Sequence, residues 1–359
     1  MACKATNVEQ VFGDSLENRF VTIDEVLKDE PFIFSVWPFY FSKFKQEKLK
    51  KQGIHDLVNH AGPIMLDSGG FQLIKRKMKI NPDRTLKIYE NANLRKFDLA
   101  IALDYCPKPS EKPITRMNKI KRSNEIFRYM KNKNDKILHV VHGWTWRELE
   151  KSLEPVNDMF SFGSYFAMMT IPLNLTMIAK NLSSKVNLKE HIMDRFIMFT
   201  RLIKNKHLDG LKIHVLGASS SNSAHLMWYA GMDQTDSAAW RIKAAFGKIA
   251  LPGISEIPIS RGKWNNKHDK ELRSCECPVC NGLSLNERIE VLSSDFKNRA
   301  LHNAHVYLEE REIAREIIGS KKHLPYLKNR FKKSHFWKKF LNKVLESRHQ
   351  KTIDFYLKK

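Results

Sequence analysis

The stretch Ile64-Met65-Leu66-Asp67-Ser68-Gly69-Gly70-Phe71-Gln72 decides the fold. Three apolar residues run directly into an acid and two glycines, the pattern of a buried strand that ends in a tight turn. The pattern recurs along the chain. Strand-like runs lie at 32–37, 64–66, 99–103, 137–141, 159–162 and 213–216, and helix-period segments at 82–95, 114–132, 146–153, 188–205 and 224–230 separate them. Repeated β-then-α units predict a parallel sheet, and this many in one domain favour a closed (β/α)8 TIM barrel over an open sheet. No internal repeat or low-complexity linker interrupts the series.

The residues that end each run are as informative as the run itself. Asp67, Asp104, His142-Gly143, Gly163 and Gly217 each stand at or just beyond the carboxyl end of a strand-like run, and Asp236 comes shortly after the last. Barrels of this kind place their sites at that end. One Asp or Gly there reads as a cap or a turn; the whole series reads as a site. Asp236 lies in Trp228-Tyr229-Ala230-Gly231-Met232-Asp233-Gln234-Thr235-Asp236-Ser237-Ala238-Ala239-Trp240 and, taken alone, reads as the N-cap of the following helix.

The 359 residues, 42% of them hydrophobic, suffice for one large core with an appendage. The expected division is a catalytic barrel over 1–250, a metal-binding subdomain with the closing barrel helix over 251–318, and a basic helical extension over 319–359. No apolar run reaches the roughly 20 residues of a membrane span, and no basic-then-apolar leader opens the chain, so the expectation is a soluble, cytoplasmic protein without a membrane partner. Lys and Arg total 62 against 39 acids, a formal charge of +23. That excess implies a polyanionic partner, most simply nucleic acid. The extension carries 13 Lys or Arg against only Glu346 and Asp354, interleaved with Tyr326, Phe331, Phe336, Trp337, Phe340, Phe355 and Tyr356. Phe336, Phe340 and Val344 fall at helical spacing, which predicts that most of these aromatics pack on the barrel while lysines face phosphates.

Between Pro252 and Ser274 the helical period gives way to Gly, Pro and charge, consistent with an irregular or hairpin-rich stretch. It leads to Cys275-x-Cys277-x-x-Cys280, with His302 beyond. Three thiolates at short spacing plus one imidazole make a closed tetrahedral Zn2+ set, structural because no position is left for water. His305 competes with His302 as fourth ligand.

Together, Asp67-Ser68-Gly69-Gly70-Phe71-Gln72, Asp236-Ser237-Ala238 and the three cysteines with His302-Asn303 resemble the tRNA-guanine transglycosylase family, in order and spacing, over roughly residues 30–310. The resemblance implies a zinc-bearing (β/α)8 barrel that exchanges guanine in nucleic acid for a 7-deazaguanine. Carried over by position, it implies Asp236 as nucleophile and Asp67 as general acid/base. Ser68, Gly69, Gly70, Phe71 and Gln72 would shape the base pocket. Asp104, in Leu103-Asp104-Tyr105-Cys106-Pro107, would accept from the purine N1–H and 2-amino group, with Cys106 beside it. Gly163 and Gly217 resemble pocket-floor positions. His142 before Gly143 replaces the Gln of tRNA-acting bacterial members, and no Pro-Thr-Arg stretch flanks Asp236. The expectation is that the RNA-binding C-terminal domains of archaeal members have no room here. These departures make the chain similar to the DNA-acting branch, which inserts 7-deazaguanines into DNA. A tRNA substrate is the alternative, and a non-catalytic nucleic-acid-binding subunit the third reading; a homodimer or a partner protein is compatible with each.

Overall fold

The structure, a computed structural model, describes residues 8–14, 27–70, 72, 80–163, 188–218, 220–260 and 264–349. Eight parallel strands close into a barrel in chain order. They are β1 (Glu9–Asp14), β2 (Phe32–Ser35), β3 (Ile64–Asp67), β4 (Leu99–Ile101), β5 (Ile137–Val141), β6 (Phe160–Phe162), β7 (Ile213–Val215) and β8 (Gln234–Ser237). β1 closes the ring by pairing with both β2 and β8.

Strand periodicity explains the layering. Phe32 and Phe34 turn outward and join the cluster packed under the helices, while Ile33 joins Met65, Ile101, Leu138 and Val140 in a separate cluster. One step further along the same faces, Ser35 pairs in register with Asp67. The alternation that fills the barrel with aliphatics thus sets Asp67 above them at its carboxyl-end mouth. β1 and β8 are the two strands absent from the sequence reading. β8 reads Gln-Thr-Asp-Ser, and a strand whose inner face lines a polar site has no apolar alternation to reveal it.

The barrel helices are α1 (Lys43–Val58), α2 (Pro82–Asn91), α3 (Pro113–Lys133), α4 (Trp146–Leu153), α5 (Leu188–Asn205), α6 (Ser221–Tyr229) and α7 (Ala239–Ala245). Side chains of Ser42, Asn81, Thr145 and Ser220 cap the first N–H groups of α1, α2, α4 and α6. An antiparallel hairpin, β9 (Lys248–Leu251) and β10 (Ser255–Pro258), follows α7. Then come α8 (Asp269–Arg273), α9 (Leu285–Ser294) and the long α10 (Phe296–Ile317). Asn303, fully buried on α10, donates to Trp240 O and Lys248 O and accepts from the Ala250 N–H, tying β9 to the barrel.

The basic extension forms α11 (His323–Arg330) and α12 (His335–His349). Phe331, Phe340 and Val344 are buried against α5, and Tyr326, Phe336 and Trp337 pack partly beneath. Phe355 and Tyr356 lie outside the described residues. Not every lysine faces outward: Lys339 pairs with Glu190 at 2.5 Å and Lys343 with Asp194, both on α5.

A buried charge holds α11 in place. Glu310 of α10 accepts from Arg330 at 2.8 and 2.9 Å, from His225 Nε2 at 2.6 Å and from the Gly253 N–H at 2.7 Å. Burial alone would raise its carboxyl, but the Arg330 charge and the His225 hydrogen bond hold it well below the ordinary range. Arg330→Met is therefore expected to cost roughly 3–5 kcal/mol in chemical denaturation, because it strands a buried carboxylate, and adding Glu310→Gln is expected to recover part of the loss. Among the described residues, no helix is long and apolar enough to cross a membrane.

Candidate active site and metal centre

Three carboxyl groups meet at the barrel mouth. Asp67 ends β3, Asp104 follows β4, and Asp236 lies within β8, where it is buried, rather than at a helix cap. The N-cap of α7 is Ala238, with no side-chain hydrogen bond, so the capping reading of Asp236 is overturned. Burial and the nearby charges of Asp104 and Asp236 push Asp67 up to about 7, against the Gly69 N–H and the Ser35 hydroxyl, which act to lower it. Two carboxylates far apart in sequence are thus electrostatic neighbours.

Asp236 is held through one oxygen. The Gly217 N–H donates to Oδ1 at 2.8 Å, and His214 Nε2 lies 3.1 Å from the same atom. Gly217 needs its glycine, since its φ is +70°. The sequence reading missed His214. Its signal was available: Ile213 and Val215 of β7 are buried against the helices, so the residue between them must face the interior. Asp233, the other acid of this segment, caps the opposite end. Its Oδ2 accepts from the N–H of Ile213, the first residue of β7, which removes it from the carboxyl-end mouth.

Asp104 is paired with the β5 end. Its Oδ2 lies 2.5 Å from His142 Nε2 and accepts from Cys106 Sγ at 3.1 Å. Burial alone would raise Asp104, but the hydrogen bond and charge of His142 and the Cys106 contact carry it below the usual carboxylate range. Two predicted pocket glycines make room for this pair. A Cβ on Gly70 would sit 2.1 Å from Asp104 Oδ1, and one on Gly163 would sit 2.1 Å from His142 Cε1. Gly143 is glycine for packing, because a Cβ there would meet the Leu149 nitrogen of α4 at 2.6 Å.

Buried Arg195 of α5, also missed, donates to the carbonyls of both Gly143 and Gly163 while lying over the rings of Trp144 and Phe162. It locks the ends of β5 and β6 together. Ser68 is buried and turns its hydroxyl to the Ala102 carbonyl, and the Gln72 N–H closes the turn on Gly69 O. Phe71 lies outside the described residues. Aromatic residues after β2 wall the turn: the Trp37 ring would be 3.2 Å from a Cβ on Gly69, and Tyr40 donates to Ser68 O at 3.1 Å.

A second centre lies behind the barrel. Cys275, Cys277, Cys280 and His302 are all buried and converge within 4.8 Å. His302 Nδ1 stands 3.6, 3.4 and 3.5 Å from the three sulfurs, against an edge of about 3.5 Å expected for thiolate and imidazole around a tetrahedral zinc-sized ion. Its Nε2 faces the Ala250 carbonyl at 2.9 Å, which fixes the tautomer and aims Nδ1 at the cage. His305 instead pairs with Glu309, so His302 is the fourth donor. Hydrogen bonds from Cys275 and Cys280 hold the Cys277 thiol down to about 4, and the same crowding pushes Cys280 up. This Cys3His group fits a metal ion. Asp104, Cys106 and His142 also converge, but the 2.5 Å between Oδ2 and Nε2 is a hydrogen bond, short of the roughly 3.3 Å that two ligands of one such ion need.

The chain is 26% identical to the tRNA-guanine(15) transglycosylase of Methanobrevibacter smithii over 77% of its own length and 40% of the relative's. It is 24% identical to that of Pyrococcus furiosus, over 78% and 44% respectively. The chain therefore spans about two fifths of the length of the curated relatives it matches. The profile of the family described as queuine tRNA-ribosyltransferase matches residues 25–336, far more than half of the chain, and the chain belongs to that family.

Proposed function

We propose that this chain exchanges guanine in DNA for a 7-deazaguanine, with 7-cyano-7-deazaguanine as the incoming base, through a covalent Asp236 glycosyl intermediate. The observation that carries the reading is the state of Asp67, lifted to about 7 by burial and by the charges of Asp104 and Asp236. A general acid/base works best when its pKa lies near the working pH, and here it stands beside a carboxylate whose Oδ1 is already anchored.

Asp236 attacks C1′ of the target nucleotide as the C1′–N9 bond breaks, forming an ester to the sugar. Protonated Asp67 gives its proton to the leaving guanine. The incoming base then loses its N9 proton to Asp67, N9 bonds to C1′, and Asp236 leaves as a carboxylate. Two inversions at one carbon retain configuration, the logic of retaining glycosidases. Neither water nor ATP enters the balance. Asp104, held ionised by His142 and Cys106, accepts from N1–H and the 2-amino group of guanine, and His142 faces O6 or N7. C1′ is unreachable inside a duplex, so the target nucleotide is flipped out. Cys275, Cys277, Cys280 and His302 would hold a structural Zn2+ that ties the cysteine loop to α10, supplying stability and no chemistry to the exchange.

Incubating the protein with labelled guanine and either duplex DNA or tRNA tests the substrate. Label entering DNA is the expected result; label entering tRNA alone would reverse the assignment. The tRNA reading has its own support, since the curated relatives are named tRNA-guanine(15) transglycosylases. Tight binding with no uptake by either polymer would leave a non-catalytic binding subunit.

Asp67 also predicts a trade-off between stability and activity. Its folded-state pKa, about 7, exceeds the ordinary aspartate value of 3.8. Between those values the folded chain keeps a proton that the unfolded chain has lost, so this group's contribution to stability declines as pH rises from about 4 to about 7 and is gone above. The full shift corresponds to on the order of 4 kcal/mol, less what solvent at the open mouth screens. Asp67→Asn removes that decline. Thermal melts are expected to show the variant gaining on the wild type as pH climbs to 7 and holding its gain above, with exchange lost. Parallel melting curves at pH 5 and 8 would contradict the assignment.

A further inference from the structure

Phe41 is 50% exposed and Phe44 79% exposed, a large apolar display for two residues three apart on one short segment. The segment follows β2 directly, and β2 ends with Ser35 in register with Asp67. A run of rings links it to the base pocket. The Phe41 centroid is 5.0 Å from that of Trp37, and the Trp37 ring packs against Gly69 in the turn after Asp67. Tyr40, whose ring also neighbours Phe41 and Trp37, is bonded to Ser68 O. The aromatic wall of the pocket therefore continues outward to the half-exposed Phe41, and Phe44 follows three residues later in the first turn of α1.

Charge around the rings selects the occupant. Residues 43–51 carry Lys43, Lys45, Lys48, Lys50 and Lys51 against Glu47 alone. The first turn of α1 holds no acid, although that end of a helix favours one. Apolar rings alone would suit a protein partner; rings set among lysines suit bases stacked along a phosphate backbone. We infer that Phe41 and Phe44, flanked by Lys43, Lys45 and Lys48, form a stacking platform for the unpaired nucleotides next to the one drawn into the pocket. The inference rests on the proposed action on a flipped nucleotide and adds where the adjoining strand lies. Held there, the neighbouring base cannot re-stack in the space the target has left. α1 itself is fixed by other contacts, with Leu49 and Ile54 in the core, so the exposed rings are not needed to form it.

Binding of a short single-stranded DNA with 2-aminopurine beside a guanine tests this without requiring turnover. In the wild type, stacking quenches the 2-aminopurine. Phe44→Ala and Phe41→Ala are each expected to relieve the quenching and to weaken binding roughly tenfold. Phe44→Trp should bind like the wild type, whereas Phe44→Leu should behave like the alanine variant, with melting temperatures checked for all. Wild-type affinity in both alanine variants would overturn the platform, and so would equal rescue by Leu and Trp. A dimer that Phe44→Ala splits in sedimentation would assign the rings to a second copy instead. Quenching and affinity lost on Phe44→Ala, in a wild type that exchanges no guanine, would keep the platform and sink the transglycosylase reading.

Discussion

Asp236→Asn loses base exchange by roughly 10⁴-fold or more while still binding nucleic acid, and it forms no covalent adduct. The substitution keeps the size of the side chain and an oxygen that can still accept from the Gly217 N–H, so the loop after β7 stays in place. What it removes is the nucleophile. With the second step starved of incoming base, the wild type should accumulate a protein–oligonucleotide adduct that survives denaturing electrophoresis. The variant should show none, at unchanged affinity for the same oligonucleotide. An adduct in the variant would move the nucleophile to Asp67, which shares the mouth with it, because Asp233 lies at the other end of the barrel.

The second large effect is on the metal. Structural zinc in small domains is worth about 10–16 kcal/mol of apparent binding free energy, comparable to the whole 5–15 kcal/mol stability of a typical domain. In this chain the cage joins the cysteine loop, β9 through Ala250 O, and α10 through His302, and α10 packs on α7 directly after β8. Cys277→Ala, or prolonged chelation, is therefore expected to lower the melting temperature by on the order of 10 °C or more, with exchange lost as β8 loses its support. Metal analysis should find one zinc per chain in the wild type. A metal-free chain that melts with the wild type would show that the four residues are an ordinary packed cluster.

Much of this site is legible in sequence because barrel chemistry is confined to strand ends. Asp67, Asp104, His142, Gly163 and Gly217 are all found beside the runs whose pattern predicts them. The metal donors were legible for another reason: three cysteines in so polar a segment have few alternatives. Only the structure decides between His302 and His305, since that choice depends on which helix face meets the cage. β1 and β8 were hidden because their inner faces serve the site or the closure of the ring and show no clean alternation. Arg195 was hidden because a single basic residue in a helix ordinarily marks solvent, and only the fold reveals two strand-end carbonyls opposite it. His142 shows the limit of residue-by-residue transfer. Its bond to Asp104 depends on glycines at 70 and 163 that sequence spacing cannot connect to it.

Those glycines constrain how the pocket can change over time. A methyl group at 163 collides with the imidazole, and one at 70 collides with the carboxylate, so neither position accepts even alanine while its neighbour keeps its present side chain. Substitutions here are consequently ordered: a lineage that reshapes this pocket must first shorten residue 142 or 104, and only then can the glycines be filled. Once they are filled, the original imidazole and carboxylate no longer fit until the glycines are restored, so reversion must run in the opposite order.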